Sequence, residues 1–191
     1  MTNLSICVFC GSQEGTDKRF AQLARELGTA LAQESYQLVY GGAQIGIMGA
    51  VADAALQAGG KVMGVIPEAL SNREVAHEGL TDLIITSDMH TRKKKMYSLA
   101  DAFVAIPGGM GTLEEIFEAA TWTKLNMHES QKYKPVVLLD DRQFWDPLSE
   151  FIDLMVNSGF IASEHRNIVA SSPSVKDALQ LIKETTLGGM A

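Results

Sequence analysis

Apolar residues fall along this chain in two alternating rhythms. Short unbroken runs lie at Leu4 to Phe9, Leu38 to Tyr40, Val62 to Ile66, Leu83 to Ile85, Ala102 to Ile106, Val136 to Leu139 and Ile168 to Ala170. Between them the spacing turns helical. In segment 17–33, Phe20, Leu23, Ala24, Leu27 and Leu31 recur on one helical face. Segments 48–58, 91–100, 144–156 and 174–184 read as further helices, and Leu113, Ile116, Phe117 and Ala120 mark another. Runs that are apolar throughout, rather than at every second residue, belong to strands buried on both faces, the condition of a parallel sheet covered by helices. The pattern predicts an α/β fold, a Rossmann-like three-layer α/β/α arrangement with a mainly parallel sheet, in one domain over 1–191. Segment 67–81 is polar, carries no clear period and reads as a loop or partly helical stretch over the site.

Ligands of open parallel sheets bind beyond the carboxyl ends of the strands. Three glycine turns lie at such positions: Gly11-Ser12, the stretch from Gly41-Gly42 through Gly46 to Gly49, and Gly108-Gly109-Met110-Gly111-Thr112. Glycine lets a ligand approach the backbone, and free N–H groups at a helix start attract anions. Ser12, Gly41, Gly42, Gly46 and Gly108 are therefore candidates for holding a phosphate. Glu115 follows the third turn at once. A carboxylate beside an anion cradle suits a site that acts on its ligand better than one that only binds phosphate. A second reading stands beside it, because Thr112-Leu113-Glu114-Glu115 also fits a capping box, in which Glu115 bonds back to the helix start. Glu114 and Glu118 read as solvent-facing; Phe117, Trp122 and Leu125 read as core.

Spacing narrows the ligand. Glu114 stands where the dinucleotide fingerprint needs a small residue, and no G-K-[ST] follows any glycine turn. A nucleotide-linked redox enzyme and a triphosphatase are disfavoured, and a nucleoside monophosphate fits short, separate loops better. His77, His90, His128 and His165 form no metal-binding spacing, so neither metal nor cofactor is expected. Cys7 and Cys10 are three apart on an apolar run and should point to opposite faces, which suits packing rather than redox chemistry.

The remaining charged stretch is Asp88 to Met96, with Arg92, Lys93, Lys94 and Lys95 in sequence. Such a run commonly makes a solvated helix face. Its place after Leu83 to Ile85 instead brings Arg92 and Lys93 toward the glycine turns, where an arginine fork suits phosphate or ribose oxygens. The chain of 191 residues has a net charge of −7, which argues against broad nucleic-acid binding. No apolar run is long enough to span a membrane, and residues 1–5 lack the order of a signal peptide, so a cytoplasmic location is the expectation.

Taken together, these motifs resemble those of the Lonely Guy (LOG) family. Pro107 to Glu115 resembles its PGGxGTxxE motif, Met89-His90-Thr91-Arg92-Lys93 its MHxRK, Gly41 to Gly49 its GGxxGxMG with one added residue, and Cys10-Gly11-Ser12 its opening CGS. The similarity runs from about residue 5 to residue 170. It implies hydrolysis of the N-glycosidic bond of cytokinin riboside 5′-monophosphates, and in several relatives of AMP, giving free base and ribose 5-phosphate. Position by position, it implies Arg92 and Glu115 as the catalytic pair. It further implies Glu74, Lys93, Thr121 and the loop Gly109, Met110, Gly111, Thr112, Leu113 and Glu114 as substrate-binding. A homodimer or higher homo-oligomer is implied as well, with the sites near the interface. The family's older lysine decarboxylase label is set aside, since no pyridoxal phosphate lysine is indicated. Within Thr121 to His128 the chain departs from the family's TWxQLGIH at Lys124, Asn126 and Met127, and it departs again in the residues inserted before Lys134-Pro135 and after Glu74. These places would meet the base or its prenyl group. The alternative function is a nucleotide or cofactor carrier without catalysis, which would have no need of the Arg92 and Glu115 pair.

In this reading Glu115 stabilises positive charge at C1′ or activates water there. Arg92 orients the ribose or base, and Glu74 and Asp88 are the carboxyls considered for protonating the leaving base.

Overall fold

The computed structural model describes residues 3–71, 76–130 and 133–188. Seven strands form one sheet: β1 Ser5–Phe9, β2 Gln37–Tyr40, β3 Val62–Pro67, β4 Asp82–Thr86, β5 Ala102–Ala105, β6 Val136–Leu139 and β7 Val169–Ser172. Every neighbouring pair is parallel, in the order β4-β3-β2-β1-β5-β6-β7. The helices are α1 Lys18–Gln33, α2 Gly46–Gln57, α3 Glu68–Ser71, α4 Met89–Leu99, α5 Met110–Lys124, α6 Asp146–Asn157 and α7 Val175–Leu187, with a 3-10 turn at Ser163–Ile168 before β7. The predicted α/β architecture is the one observed.

Side chains of β1 alternate between two cores. Ile6 and Val8 join Leu23, Leu27, Val51 and Ile182 from α1, α2 and α7. Cys7 and Phe9 join Met96, Tyr97, Ile116 and Ile152 from α4, α5 and α6. Cys7 and Cys10 thus lie on opposite sides of the sheet, as their spacing required. An aromatic stack fixes the second layer. Phe9 and Phe103 stack at 5.4 Å, and Tyr97 meets Phe103 edge-on at 5.5 Å and Trp122 at 5.3 Å.

Two expectations need correcting. β4 is not buried on both faces: it is the sheet's edge, paired only with β3, and Ile85 is 60% exposed. Phe117 and Leu125 are not core, because α5 turns Ile116, Ala119 and Thr123 inward and leaves those two side chains exposed.

Strand order reverses at β1: successive strands grow toward β4 on one side, and from β5 to β7 on the other. From that switch point β1 leads to α1 on one face of the sheet and β5 to α5 on the other, and the register sets Phe9 beside Ala105. A crevice there is what this topology builds.

Candidate active site

The crevice is a cavity of about 450 Å³. Its walls come from Cys10 to Gln13 after β1, Gly41 after β2, Met48 of α2, Leu70 of α3, Met89 and Arg92 of α4, and Pro107 to Thr112 with Glu115 on the loop and start of α5. Three glycine turns and two charged residues from four separate stretches of sequence are brought to one place.

The glycines divide by what surrounds them. A Cβ on Gly108 would collide with the Thr112 side chain and approach the Gly11 nitrogen to 2.9 Å, so its absence lets the β1 and β5 loops touch. A Cβ on Gly46 would collide with the Ser12 carbonyl, and Gly46 (φ +60°) and Gly42 (φ +81°) both hold left-handed backbone. Those two shape the loops and do not border the cavity. Gly109 and Gly111 do border it, and no neighbouring protein atom lies within 4 Å of where their Cβ atoms would be. This is the open stretch a ligand can approach.

α5 begins at Met110, with Gly109 as its N-cap and no side chain capping it. The capping box expected at Thr112 to Glu115 is therefore absent. The helix starts three residues earlier than that pattern required, so Thr112 is already its third residue and Glu115 its sixth. Its first intrahelical bond runs from Leu113 N to Gly109 O at 3.1 Å, which leaves the N–H groups of Met110, Gly111 and Thr112, all residues of the cavity wall, without an intrahelical partner. The Thr112 side chain is buried, lines the cavity and makes no hydrogen bond among the described residues. Main-chain donors, a hydroxyl and the positive end of a helix together supply the chemistry that suits an anion.

Glu115 lies deeper, on the order of 7 Å along the helix from Met110 at 1.5 Å per residue. Its carboxyl accepts no hydrogen bond among the described residues, and burial pushes it up to about 7 against the pull of the Arg92 guanidinium. Arg92 enters from α4 and is 7% exposed. Its Nε donates to Val65 O at 3.0 Å and its Nη2 to Gly41 O at 3.4 Å, while Nη1 lies 3.3 Å from Met89 Sδ. Three of five guanidinium N–H groups are thereby engaged, and two remain for a ligand. The solvated-helix reading of the basic run fails at Arg92 and Lys93, both buried, and holds at Lys94, which is exposed.

Leu113 is half-buried against the second core. Lys93 is buried away from the cavity, paired with Glu114 and, at 2.8 Å, with Glu118. Glu114 and Glu118 are thus ion-paired rather than simply solvated. Thr121 hydrogen-bonds to Phe117 O at 2.7 Å and lies in a shallow groove on α5 with Trp122 and Met127. The divergent residues Lys124, Asn126 and Met127 do not line the cavity of a single chain either. Glu74 lies outside the described residues.

Asp88 does not suit the role of proton donor. It caps α4, accepting from Thr91 N at 2.8 Å, Ser87 Oγ at 2.7 Å and Thr91 Oγ1 at 2.8 Å, bonds that hold its carboxyl far below the usual range.

An apolar wall went unread in the sequence. Phe20 of α1 and Phe144, after β6, meet edge-on at 5.7 Å and both line the cavity, with Met89 and Leu70. Phe144 follows a strand end, where the topological rule places ligands, but no glycine marks it.

A sequence profile described as "Possible lysine decarboxylase" matches residues 48–182. The chain is 44% identical over 183 residues to a Rhodococcoides fascians protein named cytokinin riboside 5′-monophosphate phosphoribohydrolase, covering 95% of this chain and 90% of that one. It is also 44% identical over 179 residues to cytokinin riboside 5′-monophosphate phosphoribohydrolase LOG of Oryza sativa subsp. japonica, covering 94% and 72% of the two chains. Among solved structures, the molybdenum cofactor carrier protein of Chlamydomonas reinhardtii aligns with a TM-score of 0.73 over 96% of this chain and 98% of its own, at 23% identity, a likeness of fold.

Proposed function

The chain belongs to the LOG family, and from that premise we propose that Glu115 and Arg92 carry its chemistry: hydrolysis of the N-glycosidic bond of cytokinin riboside 5′-monophosphates to free base and ribose 5-phosphate. One observation carries the assignment of Glu115. It is a carboxyl free of capping duty, held near pH 7 beside Arg92 and one helical turn beyond an open anion site.

The 5′-phosphate binds the N–H groups of Met110, Gly111 and Thr112 and the Thr112 hydroxyl. Ser12 faces it across the cavity. This remote contact sets the ribose, so binding energy is used to aim the bond that breaks. C1′ then lies over Glu115. As the C1′–N bond opens, positive charge grows on the ribose and the ionised Glu115 carboxylate stabilises it. Water attacks C1′, and the base leaves with a proton. A carboxyl titrating near 7 exists in both forms at neutrality, which suits taking the proton of that water. Arg92, anchored to two strand-end carbonyls, turns its free donors to the ribose oxygens.

Pyridoxal chemistry does not fit this donor set, because no lysine is among the described residues lining the cavity. AMP is a second substrate in this reading, sharing every contact except those to a substituent on the base. A homodimer is also part of it. Phe117, Leu125 and Met127 stand exposed along α5 beside Thr121 and the groove, and a second copy seated there would bring Thr121 near a site. The test is a panel of monophosphates with detection of base and ribose 5-phosphate. Release from isopentenyladenosine monophosphate above that from AMP is expected. Binding of both without release would favour the carrier reading.

A further inference from the structure

Residues next to the catalytic pair form a second pair. Arg92 and Glu115 line the cavity, while their chain neighbours Lys93 and Glu114 meet on the far side of the contact between α4 and α5. The Lys93 ammonium also reaches Glu118 at 2.8 Å, and Glu118 accepts from the Tyr97 hydroxyl at 2.8 Å. Glu114 and Glu118 are four apart and so share one face of α5; Lys93 and Tyr97 are four apart on α4. One contact would fix only the distance between two helices. Contacts from two turns of each helix also fix their relative rotation and their sliding along one another.

We propose that Lys93, with Glu118 and Tyr97, is a positioning residue. The cluster locks α4 against α5 and thereby sets where Arg92 and Glu115 stand relative to each other, without Lys93 touching the substrate. This rests on the hydrolase reading above. Lys93 is 4% exposed and absent from the cavity wall, whereas a phosphate ligand would need to open on it. Burial works against its ammonium, and the hydrogen bonds to Glu114 and Glu118 outweigh that, holding it above the usual lysine range. The cluster also acts on Glu115 through space. Arg92 and Lys93 favour its ionised form; Glu114 and Glu118 oppose it. Among the described residues, Tyr97 on α4, Cys7 on β1 and Cys10 just after it also interact with Glu115.

The test compares Lys93→Met, Lys93→Arg and Glu118→Gln in the full chain, with circular dichroism as a check of folding and isopentenyladenosine monophosphate as substrate. Lys93→Met is expected to lower kcat by about 100-fold, the scale of a 1 Å misplacement, with KM changed by less than about threefold. Lys93→Arg should recover most of that loss, since it keeps the charge and donors to two carboxylates. The pH profile separates positioning from general loss of structure. Removing a cation should move the limb set by Glu115 to higher pH in Lys93→Met, and removing an anion should move it lower in Glu118→Gln. If Lys93→Met does not fold, the Glu118→Gln limb decides alone, and an unmoved limb overturns the proposal. A large rise in KM at unchanged kcat in Lys93→Met would make Lys93 a substrate ligand instead. Wild-type turnover with unaltered variants overturns this proposal only; a wild type inactive on every monophosphate overturns the hydrolase reading and this one with it.

Discussion

Replacing Glu115 by Gln should make the protein more stable and less active at once. The native carboxyl titrates near 7, against 4.5 for an unperturbed glutamate, with burial as the main cause. Below pH 4.5 the group is protonated in both native and unfolded chains and costs nothing. Between 4.5 and 7 the unfolded chain releases its proton while the native chain keeps it, so stability falls as pH rises. At about 1.4 kcal/mol per pH unit, the wild type loses about 3 kcal/mol across that interval. Glutamine has the shape of the protonated acid and does not titrate. Urea unfolding at pH 4.5 should therefore give similar stabilities, and at pH 8 the variant should exceed the wild type by about 2–3 kcal/mol. Base release by the same variant should fall by about 10²-fold or more, as expected for loss of a group acting on the reacting atoms. If Glu115→Gln is the less stable protein at pH 8, the favourable pull of Arg92 and Lys93 outweighs the cost of burial, and the reading that burial dominates is wrong.

The remaining predictions concern neighbours of that carboxylate and one distant histidine. In Gly41→Ala the new Cβ would overlap Arg92 Nη2 and lie 2.9 Å from Met48 Sδ. The guanidinium must move by roughly 1 Å, so kcat should fall by about 10- to 100-fold with the thermal midpoint little changed; full activity would show that Arg92 needs no fixed seat. Gly109→Ala meets no protein atom within 4 Å and should fold normally. Steady-state kinetics should show KM rising more than kcat falls, whereas unchanged KM would move the phosphate elsewhere. His128 is buried with its Nε2 2.9 Å from Thr123 Oγ1, and burial, aided by Lys134, pulls it down to about 4. The unfolded chain binds that proton first, so wild-type stability should fall as pH drops from 6.5 toward 4. His128→Phe should flatten that part of the curve in thermal melts.

What the sequence made legible was set by local chemistry. Continuous apolar runs specified strands buried on both faces, and the strand-end rule then located the three glycine turns and Arg92. The sequence misled where one pattern serves two geometries. T-x-x-E at 112–115 matches a capping box, yet Gly109 ends the preceding loop and lets α5 start at Met110, which carries Glu115 inward. Leu83 and Ile85 look like core residues, and only the strand order reveals that β4 is an edge. Phe20 and Phe144 lie 124 positions apart and meet through tertiary packing, so no local period announces the apolar wall. Lys93 and Arg92 are adjacent basic residues in one helix. Their opposite destinies, one in an ion-pair cluster and one in the cavity, depend on the roughly 100° turn between successive helical residues.

Product analysis after a single turnover tests the role of Glu115 in N-glycosidic cleavage most directly. Enzyme in excess is mixed with isopentenyladenosine monophosphate at pH 8, and free base, ribose 5-phosphate, nucleoside and inorganic phosphate are quantified for the wild type and for Glu115→Gln. The wild type should give base and ribose 5-phosphate in equal amounts, and the variant should leave intact, bound substrate. Nucleoside and inorganic phosphate as products, or equal base release from both proteins, would contradict that role.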